Sequence, residues 1–161
     1  MGSTHKTVII RKMDRDSVSG YVGASFLRDD RIELLNSTGK VVYVPTADVK
    51  GVYFVRDLQE SEELVRKTFP SRPRADGLWV RLAFKDNEVL EGLMGNDLTQ
   101  LTPEGFLVTP PDTRGNTQRI WVPRSALQSL TVLAVIGGTQ LKKRPARVGA
   151  TQQPELFAEA E

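Results

Sequence analysis

Four positive charges lie close together near the end of the chain, at Lys142, Lys143, Arg144 and Arg147. Lysine and arginine side chains neutralise phosphates, and such a cluster on an extended arm would bind RNA or DNA in a strongly salt-dependent manner. The alternative is an arm whose charges only keep the chain in solution. Neutralising the cluster would distinguish the two interpretations, because only the first requires these charges for binding.

The same arm carries the segment QPELF at 153–157. It resembles the QxxLF-type peptide by which many bacterial proteins dock on the DNA sliding clamp. The resemblance implies that Gln153 enters a polar subsite, while Leu156 and Phe157 fill an apolar pocket of a protein partner. The alternatives are that the pair docks back onto the folded part of the chain, or that it occurs by chance. An exposed apolar pair needs an explanation of this kind, because it has nothing of its own to pack on.

The rest of the sequence contains few of the residue types that carry out catalysis. The 161 residues include no cysteine and one histidine, His5, so thiolate chemistry, a histidine-based triad and a zinc site in the core are excluded. Lys and Arg number 22 and Asp and Glu 20, so any basic footprint must be local. No apolar run approaches the roughly 18 residues of a membrane span, and no signal peptide is recognisable. We expect a cytoplasmic, non-enzymatic protein without cofactor, metal or membrane contact.

Internal repetition identifies the elements that must position any site. VIIRKMDRDSVSGYV (8–22) matches VRLAFKDNEVLEGLM (80–94) at an offset of 72, and VVYVPTADVKGVYFV (41–55) matches RIWVPRSALQSLTVL (119–133) at an offset of 78. The second repeat therefore carries six additional residues, which we place in its Pro- and Gly-containing segment 109–118. The duplication predicts two folding units of the same kind.

Each repeat has the alternation of apolar and polar residues that is typical of half-buried strands. Gly20 and Gly92 occupy the same position within a strand, where glycine permits a sharp bend or a close backbone approach. Pro45 and Pro123 each follow a valine and end a strand, because proline removes a donor from the ladder. A unit of this size is marginal alone, so we expect the two repeats to pack together.

The predicted architecture is mostly all-β, with two five-stranded small barrels in tandem at 6–57 and 77–138. The segment 58–76 between them is expected to form a short helix over 61–69 and then a Pro/Arg linker, because Ser61 starts a helix well and Pro70 stops one. After Gly138 the hydrophobic pattern ends, and 139–161 has the composition of a disordered tail.

The strand pattern of both repeats resembles the Sm/SH3-type small barrel. Residues 80–97, VRLAFKDNEVLEGLMGND, are similar to the first Sm signature, with Asp97 five residues after Gly92. The resemblance implies a bacterial tandem Sm-like protein that binds RNA or a protein partner. The residues that contact RNA are not matched, because Leu101 and Thr102 stand where the signature has asparagine and Val-Pro replaces the second signature in both repeats.

A second resemblance is to PilZ domains, which bind cyclic di-GMP. Arg11 and Arg15 have the spacing of the RxxxR pair, and Asp97-Leu98-Thr99 is similar to the start of the DxSxxG motif. Guanidinium groups suit the phosphates and guanine edges of such a ligand. The sequence therefore predicts a binding or adaptor protein for RNA, DNA or a protein, with a cyclic di-GMP sensor or a clamp-docking accessory protein as alternatives. Oligomers through exposed strand edges stay open.

Overall fold

The structure is a computed structural model that describes residues 5–58, 66–112 and 114–137. These residues form strands and short 3-10 turns, which confirms the predicted all-β class. The strands of repeat one are β1 (Lys6–Lys12), β2 (Ser17–Val22), β3 (Leu27–Arg28), β4 (Arg31–Leu35), β5 (Val41–Pro45) and β6 (Val49–Val55). The strands of repeat two are β7 (Gly77–Phe84), β8 (Val89–Met94), β9 (Gly105–Val108), β10 (Thr117–Pro123) and β11 (Leu127–Ile136).

The two repeats have the same strand pairing in the same register. Val8 pairs with Gly20 in β1 and β2, and Val80 pairs with Gly92 in β7 and β8. The first and last strands of each repeat are also paired alike and share one register shift at the same place, while the longer β11 has a further shift between Val132 and Ala134. In this register β1, β2, β4, β5 and β6 correspond to β7, β8, β9, β10 and β11.

The six additional residues of repeat two are divided between two connections. Ile32 pairs with Val44 in repeat one, and Phe106 pairs with Val122 in repeat two. The offset therefore rises from 72 to 74 before β9 and to 78 only after it. Two of the six residues lie between β8 and β9 and four between β9 and β10, so the prediction that placed all six in 109–118 was wrong for two of them.

Proline ends the same strand in both repeats, as predicted. Pro45 and Pro123 are the last residues of β5 and β10, with extended φ values of −61° and −72°. A 3-10 turn follows each of them, Thr46–Asp48 in repeat one and Arg124–Ala126 in repeat two. The turn redirects the chain into β6 or β11, which returns along the first strand of its repeat.

The strands form two sheets and do not close into the predicted five-stranded barrels. One sheet joins repeat one to β10 and β9 of repeat two, and the other contains β11, β7 and β8. The physical reason is that β6 pairs with β10 of the other repeat and not with β5 of its own. In the described part of repeat two, β8 meets β9 through the bridge between Leu93 and Thr109.

Two hydrophobic cores lie on either side of this junction. Repeat two has its own core, around Val80, Leu82 and Ile120. The core of repeat one, around Ile10, Leu34 and Val52, includes Trp121 from β10 of repeat two. Trp121 is buried in the core of repeat one, and Tyr53 from β6 packs against the core of repeat two, so the two cores depend on each other through the pairing of β6 with β10.

The predicted helix over 61–69 is only partly within the described residues. Residues 61–65 lie outside them, and 66–69 are not helical. Instead, Lys67 lies along β8, where its carbonyl accepts a hydrogen bond of 2.7 Å from the N–H of Glu91. The predicted tail, 139–161, also lies outside the described residues. Those that are described contain no helix with the length and hydropathy needed to cross a membrane.

Candidate functional site

The candidate contact residues of the C-terminal arm lie outside the described residues, and their roles stay predictions. They are Lys142, Lys143, Arg144, Arg147, Gln153, Leu156 and Phe157. The four positions predicted from the repeat, Gly20, Gly92, Pro45 and Pro123, lie in strands at equivalent places. The glycines allow close approach of a neighbouring strand: a Cβ atom at Gly20 would lie 2.3 Å from the carbonyl oxygen of Leu35.

The three residues of the PilZ-like pattern make separate local contacts. The guanidinium carbon of Arg11, in β1, is 4.9 Å from the centre of the Tyr53 ring. Arg15 is exposed in the β1–β2 turn, with a φ of 77°. Asp97 belongs to repeat two, where it caps the 3-10 turn Leu98–Gln100. Its carboxylate is already used by the backbone and side chain of Thr99.

The capping of Asp97 gives a testable prediction. The hydroxyl of Thr99 donates to Oδ1 of Asp97 at 2.6 Å and its N–H donates at 3.0 Å, and these bonds lower the pKa of the carboxyl group. Because the folded pKa is below the unfolded one, the cap stabilises the fold above the unfolded pKa and is lost as the pH falls through the folded value. We expect Thr99→Val to raise the Asp97 midpoint in an NMR titration of the side-chain carboxyl carbon.

A matched control is Thr38→Val, which removes a hydroxyl that donates to Asn36 in repeat one. This variant should leave the Asp97 midpoint unchanged. An Asp97 midpoint that does not move in Thr99→Val would contradict the assignment of the hydroxyl as the main cause of the lowered pKa.

The candidate site is the groove at which β8 and β9 diverge. The backbones of the two strands are joined where Leu93 and Thr109 exchange hydrogen bonds of 2.9 and 2.7 Å. Thr109 thus directs both its N–H and its carbonyl toward β8. In an extended strand the residue two positions earlier faces the same side, so the backbone of Leu107 also faces the groove. Beyond the bridge a cavity of about 390 Å³ opens between the strands.

The walls of this cavity combine apolar and polar groups. Its lining residues are Ala75, Asp76, Leu93, Met94, Gly95, Gln100, Leu107, Val108, Thr109 and Arg119. Leu107 lies in β9, the edge strand of the larger sheet, and is 39% exposed. A volume of this order is within the range of about 300–1,000 Å³ that is usual for ligand pockets. The groove therefore offers an apolar surface, a strand backbone and one side chain of each charge.

The linker that leads into repeat two is fixed beside this groove by Glu91. This carboxylate is only 6% exposed, and it accepts hydrogen bonds from the N–H of Phe69 at 3.0 Å and from the indole of Trp79 at 3.2 Å. Arg81 lies 3.4 Å from its second oxygen. Phe69 also packs edge-on against Trp79, with ring centres 6.0 Å apart. Segment 67–69 is therefore fixed against β8 by a backbone hydrogen bond at Lys67 and a side-chain hydrogen bond at Phe69.

Sequence reasoning missed both Glu91 and the groove. A carboxylate between Leu90 and Gly92 in an apolar strand was a usable signal, because a buried charge needs partners. The groove itself had no signal, because it arises from the divergence of two strands. The guanidinium carbon of Arg31 lies 4.3 Å from the centre of the Tyr43 ring, a pairing that the sequence could not establish. Within the described residues, no group of three acidic or histidine side chains is placed to hold a metal ion.

Comparison with known proteins gives one finding. A protein-family model described as a family of unknown function (DUF6982) matches residues 4–134. No curated protein gives a significant match, and neither does any solved structure. The matched range includes both repeats and the linker between them. It supports neither the Sm-like nor the PilZ resemblance as an identity.

Proposed function

We propose, from the premise that the chain belongs to the DUF6982 family of unknown function, that it is a non-enzymatic binding and adaptor protein. Its ligand is an extended peptide segment of a partner protein, and it is held in the groove between β8 and β9. The observation that carries the proposal is the divergence of these strands beyond the Leu93–Thr109 bridge, which leaves a partly apolar cavity beside the backbone of Leu107.

A peptide satisfies the chemistry of the groove better than a compact polar molecule does. Strand edges bind extended chains through backbone hydrogen bonds, and neighbouring pockets select alternate side chains. Leu93, Met94 and Leu107 offer the apolar surface for one such side chain, while Asp76 and Arg119 offer one charge of each sign. The backbone of β8 already binds another segment of the chain, because the N–H of Glu91 donates to the carbonyl of Lys67.

The C-terminal arm is a second contact element in this proposal. Leu156 and Phe157 would anchor a protein partner, whereas Lys142, Lys143, Arg144 and Arg147 would bind RNA or DNA. The groove favours the protein version, because its walls are partly apolar and carry one side chain of each charge. A nucleic-acid partner depends on the basic cluster of the arm alone. The clamp-docking and cyclic di-GMP alternatives depend on QPELF, and on Arg11 and Arg15, respectively.

The test is selection of short random peptides displayed on phage against the full-length chain, followed by affinity measurement on the variant Leu107→Asp. We expect enriched peptides with an apolar residue, and a loss of affinity of about tenfold or more in the variant, because a charge in the apolar wall costs at least about 1.4 kcal/mol of binding. Val89→Asp is the matched control, because Val89 is 40% exposed, close to the 39% of Leu107, and does not line the cavity.

Two outcomes of this selection would contradict the proposal. Peptides that bind Leu107→Asp and the unchanged chain equally would place binding outside the groove. A failure to enrich any peptide would remove the peptide-binding function itself.

A further inference from the structure

The junction between the repeats is an edge-to-edge pairing of β6 from repeat one with β10 from repeat two. Arg119 pairs with Phe54, Ile120 with Tyr53, and Trp121 with Val52. Phe26 fills the space beside this pairing, with its ring 5.6 Å from that of Trp121 and 6.1 Å from that of Phe54. The rings of Phe26, Phe54 and Trp121 therefore pack together at the junction.

The repeat predicts a second edge pair of the same kind. Because β5 corresponds to β10 and β6 corresponds to β11, the equivalent junction would join β11 to β5. In the common register Tyr43 takes the place of Trp121, and Val132 takes the place of Phe54. The two edges do not meet within the described part of one chain, where β5 pairs with β4 and β11 pairs with β7.

Both of these edges carry exposed large hydrophobic residues. Val41 and Tyr43 on β5 are each 49% exposed, and Val132 and Val135 on β11 are 46% and 52% exposed. By contrast, Trp121 at the equivalent position in the formed junction is only 8% exposed. Leu98, in the connection that corresponds to the one holding Phe26, is 67% exposed. Unpaired strand edges with apolar side chains bind other strands unless they are covered.

We propose that a second copy of this chain covers them: β11 of one chain pairs with β5 of the next, in the register that β6 and β10 use within the chain. Tyr43 of the second copy then enters the place equivalent to that of Trp121, against Val132 and the connection that contains Leu98. The contact is head to tail, so each chain keeps one β5 edge and one β11 edge for its neighbours. Repetition of such a contact gives a closed ring where the rotation closes and a filament where it does not.

The intermolecular junction is weaker than its internal template. Within the chain, Nζ of Lys50 in β6 lies 2.6 Å from a carboxylate oxygen of Asp86 in the β7–β8 turn and also contacts Glu88. The position equivalent to Lys50 in β11 is Gln128, which brings no charge to the equivalent turn at Asp14. The assembly therefore relies on strand pairing and apolar contact, and it dissociates on dilution while the internal junction persists.

The test uses two variants of the full-length chain, each blocking one edge. Light scattering and native mass spectrometry of the unchanged chain over a range of concentrations should show oligomers. Tyr43→Lys removes the β5 contact and Val132→Lys removes the β11 contact, so each variant alone should be monomeric. An equimolar mixture should form a dimer and nothing larger, because the intact β11 of the first variant can pair with the intact β5 of the second.

The controls are Tyr21→Lys and Val89→Lys, at residues that are 38% and 40% exposed and lie on neither edge. Both should assemble as the unchanged chain does. A chain that stays monomeric at all concentrations would overturn the proposal. So would a variant that still assembles alone, because that indicates an edge pairing with its own copy. Recovery of the dimer in the mixture shows that both variants are folded, and two monomeric variants that do not combine also overturn the proposal.

Discussion

Trp121→Ala is expected to lower the free energy of unfolding by about 3–5 kcal/mol, the usual cost of removing a buried tryptophan from a core. The indole is 8% exposed and belongs to the core of repeat one, although its strand belongs to repeat two. Its removal leaves a cavity beside Phe26 and weakens the packing of β10 against this core. Both repeats should therefore lose stability together, in a single shifted transition.

The measurement is urea denaturation of the full-length chain at high dilution, with unfolding monitored by far-UV circular dichroism. Tyr43→Ala is the matched control, because it truncates the equivalent aromatic residue of repeat one, which is 49% exposed. At high dilution it should cost less than about 1 kcal/mol, because little apolar area leaves contact with protein. Equal losses in the two variants would contradict the difference in burial between the two positions.

Gly20→Ala is the second substitution with a large expected effect. A Cβ atom at this position would lie 2.3 Å from the carbonyl oxygen of Leu35 and 3.1 Å from Cγ of Leu34. The first contact is with backbone, so β2 and β4 would have to separate. Overpacking of this kind costs about 3 kcal/mol.

Gly23→Ala provides the comparison, directly after the same strand. A Cβ atom there would meet no heavy atom within 4 Å. Because alanine restricts the unfolded chain, this variant should be as stable as the unchanged chain or more stable by up to about 1 kcal/mol. Thermal unfolding measured on the two variants side by side should give a clearly lower midpoint for Gly20→Ala. Similar midpoints would contradict the close approach of β4 to Gly20.

The local structure was predictable because short segments of sequence determine it. Alternation at Val80, Leu82 and Phe84 indicated a strand with one buried face, and all three side chains are buried. The Val-Pro pairs at 44–45 and 122–123 indicated where strands end. Such signals depend on neighbours a few residues apart, which is the distance over which strand alternation and proline act.

The arrangement of the strands was not predictable in this way. Pairing of β6 with β10 is one of two similar possibilities, because the repeated sequence makes β5 and β10 alike. The prediction of closed barrels was wrong for this reason. The groove between β8 and β9 and the fixing of segment 67–69 by Glu91 are results of the same arrangement. Of the predicted site residues, those in the arm lie beyond the described residues, so the candidate site emerged from the fold and not from a motif.

The sharing of Trp121 between the repeats has a consequence for synthesis of the chain on the ribosome. The strands that surround its indole are complete at Val55, but the tryptophan itself is 66 residues further along. At roughly 5–20 residues per second, repeat one waits several seconds before its core can close. During that time β6 exposes an unpaired edge, and folding is delayed by the long sequence separation of the pairing. We infer that the nascent chain is most open to chaperones and to misassembly in this interval.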